Sequence, residues 1–207
     1  DGSIMLSAMS GFAVAYATGN LWLAFAVAAL VSMAVAALIA FASIELRLNQ
    51  IAVGFVLTLL CTDLSSFLGD PVVGQRAAGV PHLAIPGLSK IPRLGPIFFE
   101  QNLSVYGSFL VIAVGYFFVF RTRRGLEMQA IGERPEAAHA RGIRVNAWRY
   151  AYTVVGGALV GIAGAAYSLD VRLGWREGVT TNYGWIALAI VLFGGWHPAR
   201  AAGGADL

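Results

Sequence analysis

The residues best placed to do chemistry are Glu136, Ala137 and Ala138, followed after three residues by Gly142. Pro135 just before them suits the first turn of a helix, where its missing N–H is not needed. Glu136 then lies in that first turn, where a carboxylate favours the positive helix end. Ala137 through Arg141 continue the helix and Gly142 ends it. Nothing in this pattern activates a nucleophile or moves a proton. A two-turn helix with small residues between charged ends suits docking into a groove on another protein. Upstream, Leu126 to Ile131 reads as helical and Gly132 as its break.

Other polar residues stand where polarity is costly. Asp63 lies inside an apolar run. An intramembrane carboxylate is a functional candidate by default; Asp63 faces a transport pathway or a partner subunit, or it lies near the outer interface before Asp70 and Pro71. Asn49 and Gln50 open the same run, as a helix cap, an interface position or a substrate contact. Tyr183 and Trp185 are interface anchors or aromatic faces for a sugar or base. His82, His139 and His197 show no metal-ligand spacing, so no metal site is expected. Cys61, the single cysteine, reads as a small buried hydrophobe.

These residues are carried on long apolar elements. Of 207 residues, 58% are apolar and 12% charged, against about 25% charged in soluble domains. Leu21 to Phe41 holds no charge, and roughly 20 apolar residues cross a bilayer core. The pattern predicts an all-α polytopic transmembrane bundle of about six spans: Ser3–Thr18, Leu21–Phe41, Ile51–Leu68, Ser104–Phe120, Tyr150–Leu169 and a short one over Asn182–Trp196. Gly19 and Asn20 make a tight turn between the first two. A link over residues 69–102 holds Pro71, Pro81, Pro86, Pro92 and Pro96, too many for a long helix. Residues 1–207 form a single transmembrane domain, and both ends read as cuts in a longer protein. Small residues stud the fifth span, and Gly157 and Gly161 make a small-xxx-small pair that lets helix backbones approach closely.

Charge gives the bundle an orientation. All but one of the 14 basic residues are Arg, and half of the 14 lie in the loop over residues 121–149. Positive charge collects on the cytoplasmic side, so this loop is expected inside and the Pro-rich link, with Arg76, Lys90 and Arg93, outside. A basic cluster flanked by spans is no nucleic-acid site, and no such partner is expected.

The stretch from Ala130 through Ile131, Gly132, Glu133, Arg134, Pro135, Glu136, Ala137 and Ala138 to Gly142, Ile143, Arg144 and Val145 resembles the coupling loop of ATP-binding-cassette (ABC) import permeases. It is similar to the version in the permease family for ribose-type simple sugars, nucleosides and branched-chain amino acids. The basic entry Arg121 to Leu126, the Gly/Ala-rich run Gly156 to Ala165, the run Tyr183 to Pro198 and the start Gly2 to Leu6 match as well. Ile85 to Leu88 and Ile91 to Pro96 bring the likeness nearest to the nucleoside and simple-sugar group. Gln50 and Arg134 depart from the family pattern, where an acidic residue and Asn are commoner.

The resemblance implies a permease subunit in a prokaryotic inner membrane, lying in the lipid bilayer. It implies a second permease subunit forming a homo- or heterodimer, a substrate-binding protein or lipoprotein outside, and ABC ATPase subunits docked on Glu136, Ala137, Ala138 and Gly142. ATP and Mg would bind in those ATPase partners. The chain has no Walker-type phosphate loop, no cofactor of its own is expected, and it is not expected to be an enzyme. The rival readings are an ion- or proton-coupled secondary transporter and an intramembrane enzyme. The first wants several ionisable groups inside the membrane. The second wants two carboxylates, or a Ser with a His, within the spans.

Overall fold

A computed structural model of the chain describes residues 1–76, 79–80 and 102–205. Pro81, His82, Pro86, Lys90, Pro92, Arg93 and Pro96 of the predicted link lie outside the described residues.

The elements begin and end where local chemistry dictates. Helix α1 (Gly2–Thr18) is stopped by Gly19, whose φ of 68° is left-handed. Helix α2 (Leu21–Ile44) is capped by Asn20, whose side chain accepts a hydrogen bond from the Leu23 N–H. Helix α3 (Gln50–Gly69) is capped by Asn49, whose Oδ1 accepts from the N–H groups of Ile51 (2.9 Å) and Ala52 (3.3 Å). Such a cap satisfies donors that no helical carbonyl can reach. A 3₁₀ turn, Asp70–Val72, follows.

After the link come α4 (Leu103–Arg121), α5 (Arg123–Glu133, capped by Thr122) and α6 (Pro135–Ala140). Helix α7 (Val145–Ala166) continues into a π-helical turn, Tyr167–Val171. Helices α8 (Tyr183–Phe193) and α9 (Pro198–Ala205) complete the order. Among the described residues there is no strand, so the fold is the all-α bundle that the sequence predicts.

Two boundaries differ from the sequence reading. Gly132 does not break α5, which runs through it to Glu133. The break belongs to Pro135, which disfavours helical backbone at the residue before it; Arg134 sits at φ −144°, ψ 83°. Helix α7 starts at Val145, five residues before the predicted span, because a helix continues past the apolar stretch that hydropathy detects.

Among the described residues, four helical segments are long and apolar enough to cross a membrane: Leu21–Ile44, Gln50–Val72, Leu103–Arg121 and Val145–Val171. Gly2–Thr18 and Tyr183–Phe193 are apolar but shorter. At 1.5 Å per residue, the 11 residues of α8 reach only about 16 Å, roughly half of a bilayer core. The six apolar segments are therefore four full-length spans and two shorter helices.

The core is a seam of small residues where α1, α2 and α7 meet. Ala8, Phe12, Ala24, Ala28 and Ala165 are buried there. A Cβ added at Gly157 would lie 2.4 Å from the Ala36 Cβ, and one at Gly161 would lie 2.4 Å from the Ala28 carbonyl oxygen. A Cβ at Gly164 would lie 2.3 Å from Ser7 Oγ. These glycines are thus what lets α7 lie backbone to backbone on its neighbours, and the predicted Gly157–Gly161 pair forms part of this seam. In lipid such close packing matters because apolar burial against another helix brings no hydrophobic gain. Two buried hydroxyls pin α1 to its neighbours: Ser168 Oγ, in the turn after α7, donates to the Ala8 carbonyl (2.9 Å), and Ser65 Oγ of α3 donates to the Met5 carbonyl (3.3 Å).

Helix α4 buries none of its residues and touches chiefly α5 and α9. The His197 ring, between Tyr116 and Phe120 at 5.8 and 5.1 Å, helps hold α9 to α4.

Candidate functional site

Helix α6 stands on the Arg-rich end of the bundle, between α5 and α7. Ala138 is 3% exposed and packs in a small cluster with Ile131 and Val145, edged by Ile143 and Trp148. This cluster anchors the helix. On the other side Glu136, Ala137, His139, Ala140, Arg141 and Gly142 are exposed. Gly142 has φ 84°, and its N–H donates to the His139 carbonyl (2.9 Å). The Ile143 N–H returns to the Ala138 carbonyl (3.2 Å), turning the chain back toward α7.

Helix α6 is therefore a ridge between two shallow grooves. One, of about 700 Å³, is lined by Glu136, His139, Arg144 and Arg149. The other, of about 450 Å³, is lined by Glu127, Glu133, Arg134, Ala137 and Arg141. The four residues picked from the sequence lie together, but Ala138 faces inward while Glu136, Ala137 and Gly142 face out.

The pathway candidates divide among three places. Asn49 spends its side chain on capping α3. Asp63 is exposed on α3, about six residues or 9 Å short of its far end at Gly69. Among the described residues it has no hydrogen bond or ion pair within the chain. Tyr183 and Trp185 lie in the first turn of α8, and both are exposed. The Tyr183 hydroxyl accepts a hydrogen bond from Tyr167 (2.9 Å), and Arg172 Nε donates to Tyr167 Oη (3.0 Å). Trp185 packs on Phe55 of α3, ring centroids 5.9 Å apart.

Trp185 and Phe55 form one wall of a cleft of about 630 Å³. Val35 and Ile39 of α2 line it, as do Gln50, Gly54 and Thr58 of α3 and Leu188 of α8. At its top the starts of two helices meet: the Gly184 N–H donates to Asp1 Oδ1 at 2.6 Å. A Cβ at Gly184 would lie 2.7 Å from the Asp1 nitrogen, and one at Gly2 would lie 2.6 Å from the Thr58 Cα.

Phe55, Asp1 and Gly184 are absent from the residues picked by sequence. The available signal was Gly184 itself, a glycine between two aromatic residues at the head of an apolar helix, which marks a close backbone approach. The π turn had no sequence signal. It gathers Tyr167, Ser168 and Asp170, and Asp170 Oδ1 accepts a hydrogen bond from Asn102 before α4. Trp175, also unmarked by the sequence, is 2% exposed and packs against Gly69.

Long apolar helices, a small-residue seam and a cleft opening between shortened helices define a multi-pass membrane protein. The chain belongs to the branched-chain amino acid transport system / permease component family, which matches residues 1–206.

The chain is 39% identical over its full length to a putative glucose ABC transporter permease protein, TsgC13, of Haloferax volcanii, covering 64% of that protein. It is 33% identical to the nucleoside ABC transporter permease protein NupC of Lactococcus lactis over 87% of this chain and 58% of the relative. It is 34% identical to the guanosine ABC transporter permease protein NupQ of Bacillus subtilis over 79% of this chain and 53% of the relative. The chain thus spans roughly 53–64% of the length of these relatives. No solved structure matches significantly.

Proposed function

We propose that the chain is a permease subunit of an ABC importer, forming the membrane pathway for a nucleoside or simple sugar in a prokaryotic cytoplasmic membrane. One observation carries the reading: α6 is an exposed ridge at the Arg-rich end, anchored through Ala138 and continuous through Val145 with α7 of the core seam. A force on α6 therefore reaches the helices that pack most closely. The printed names of the relatives supply the substrate class.

In this reading two ATPase subunits, which bind the ATP and Mg, dock on Glu136, Ala137 and Gly142, with Ala138 setting the height of the ridge. Their closure on ATP moves α6, and α7 transmits the motion to α1 and α2, exchanging two arrangements of the bundle. A substrate-binding protein delivers from the other side. A second permease subunit completes the pathway. Asp63 supports that partner: a carboxylate on a lipid face costs about 2.5–3.5 kcal/mol at mid-span, so its exposed face of α3 meets protein or water in the assembly.

A crosslinking experiment tests the docking. With Ala137→Cys in the full permease, a thiol-directed crosslinker should join it to the ATPase subunit, and ATP should change the yield. Gly107→Cys on α4 is the control. Equal yields at the two positions would refute the docking contact.

A further inference from the structure

The hinge over residues 45–49 joins two full-length spans, so it lies at the membrane surface. Its shape is fixed: Arg47 is left-handed at φ 52°, and the Leu48 N–H returns to the Ala42 carbonyl (3.1 Å). The Tyr150 hydroxyl, near the start of α7, donates to the Glu45 carboxylate. That contact sets the hinge beside the Arg-rich loop and commits the one acid of the hinge. Arg47 and Arg149 stand within two residues of it, one on each element, and both are exposed. Among the described residues neither guanidinium has a hydrogen bond or ion pair within the chain. Free guanidiniums at headgroup level attract anions, and their planar fork matches a phosphate.

Next to Arg47, a groove of about 630 Å³ runs between the end of α2 and the start of α3. Leu38, Phe41, Leu48, Ala52 and Val56 line it. Its one polar side chain, Asn49, caps α3. A peptide or a polar solute would leave its own N–H and hydroxyl groups unpaired there, at a cost. A hydrocarbon chain brings no such groups. Leu48 belongs to the groove and follows Arg47 in the chain, so the apolar wall and the charge are continuous.

We infer that the α2–α3 hinge is a binding site for one anionic phospholipid of the cytoplasmic leaflet, with an acyl chain along the groove and the phosphate held by Arg47 and Arg149. A zwitterionic lipid carries the same phosphate but sets an ammonium against two cations, so the site selects the anionic headgroup. The inference rests on the chain crossing a membrane, not on what it transports.

The test is native mass spectrometry of the complete transporter after incubation with equal amounts of phosphatidylglycerol and phosphatidylethanolamine. Phosphatidylglycerol should be retained preferentially. Arg47→Gln and Arg149→Gln should each lower its retention about fivefold, the scale of one basic residue near an anionic membrane surface. Arg47→Lys, which keeps the charge, should retain most of it. Ala52→Trp, at an exposed position on the groove wall, should lower retention with both charges in place. Arg121→Gln combined with Arg123→Gln removes two exposed charges from the same side of the membrane and should leave retention unchanged.

Equal retention of the two lipids, an equal loss in the Arg121/Arg123 control, or unchanged retention in Ala52→Trp would each overturn the inference. So would release of the ATPase subunits by Arg149→Gln, which would assign the cations to a protein carboxylate. Separation of the two permease subunits by Ala52→Trp would overturn it too, giving the groove to the subunit interface.

Discussion

Replacing Gly161 with Ala tests the idea that α7 is held by backbone contact. The added Cβ would lie 2.4 Å from the Ala28 carbonyl oxygen, 2.7 Å from the Ala29 Cα and 2.9 Å from the Ala28 carbonyl carbon. All three are backbone atoms, so no side chain can rotate away. Ordinary contact is about 3.5–4.0 Å, so α2 and α7 must part by about 1 Å, and a gap of that size forfeits a quarter to a half of each contact along the seam. Overpacking of this kind costs about 1–3 kcal/mol. Gly156, five residues earlier on α7, is the internal control: its Cβ would meet nothing within 4 Å. There Ala should be neutral or stabilise by about 0.5–1 kcal/mol, the ordinary helix preference over Gly. Unfolding of the purified permease by a graded denaturing detergent, followed by circular dichroism, measures both. Gly161→Ala should shift the midpoint toward lower denaturant and Gly156→Ala should not. Equal behaviour of the two variants would refute the close-packed seam.

Two further substitutions probe positions picked from the sequence. Asn49→Ala removes the two cap hydrogen bonds of α3 and should cost about 1 kcal/mol in the same unfolding assay, with transport retained; a loss of transport at unchanged stability would instead assign Asn49 to the pathway. Asp63→Asn keeps the shape and removes the charge, and should lower transport about tenfold by weakening a charged hydrogen bond to a partner or to pathway water. Undiminished uptake by vesicles holding Asp63→Asn would exclude that role.

Much of the architecture was legible because membrane crossing leaves a coarse signal. Charge-free runs marked the long helices, and Asn20, Asn49 and Gly19 marked ends where the structure has caps and turns. Pro135 and Gly142 bracketed α6. The misreading of Gly132 shows the limit of local signals. A glycine inside a helix costs only about 1 kcal/mol, while the proline three residues on restricts the backbone sterically, and the stronger constraint decides. The site was less legible, because it depends on which helix faces meet. Ala137 and Ala138 are identical in type and adjacent, yet one is exposed and the other buried against Ile131. Phe55 reads as one more apolar residue until α8 brings Trp185 to it. The contact between Asp1 and Gly184 joins residues 183 positions apart, a pairing that no period within either helix announces.

Energy coupling tests the central claim most directly. The full permease would be reconstituted in liposomes with its ATPase subunits and binding protein, and uptake of uridine and glucose followed with ATP or a proton gradient as the sole energy source. The account predicts uptake with ATP that is abolished by Gly142→Val, since a β-branched residue is strained at φ 84° and stands on the docking ridge. Uptake driven by the gradient without ATP, or full ATP-driven uptake by the Gly142→Val variant, would contradict it.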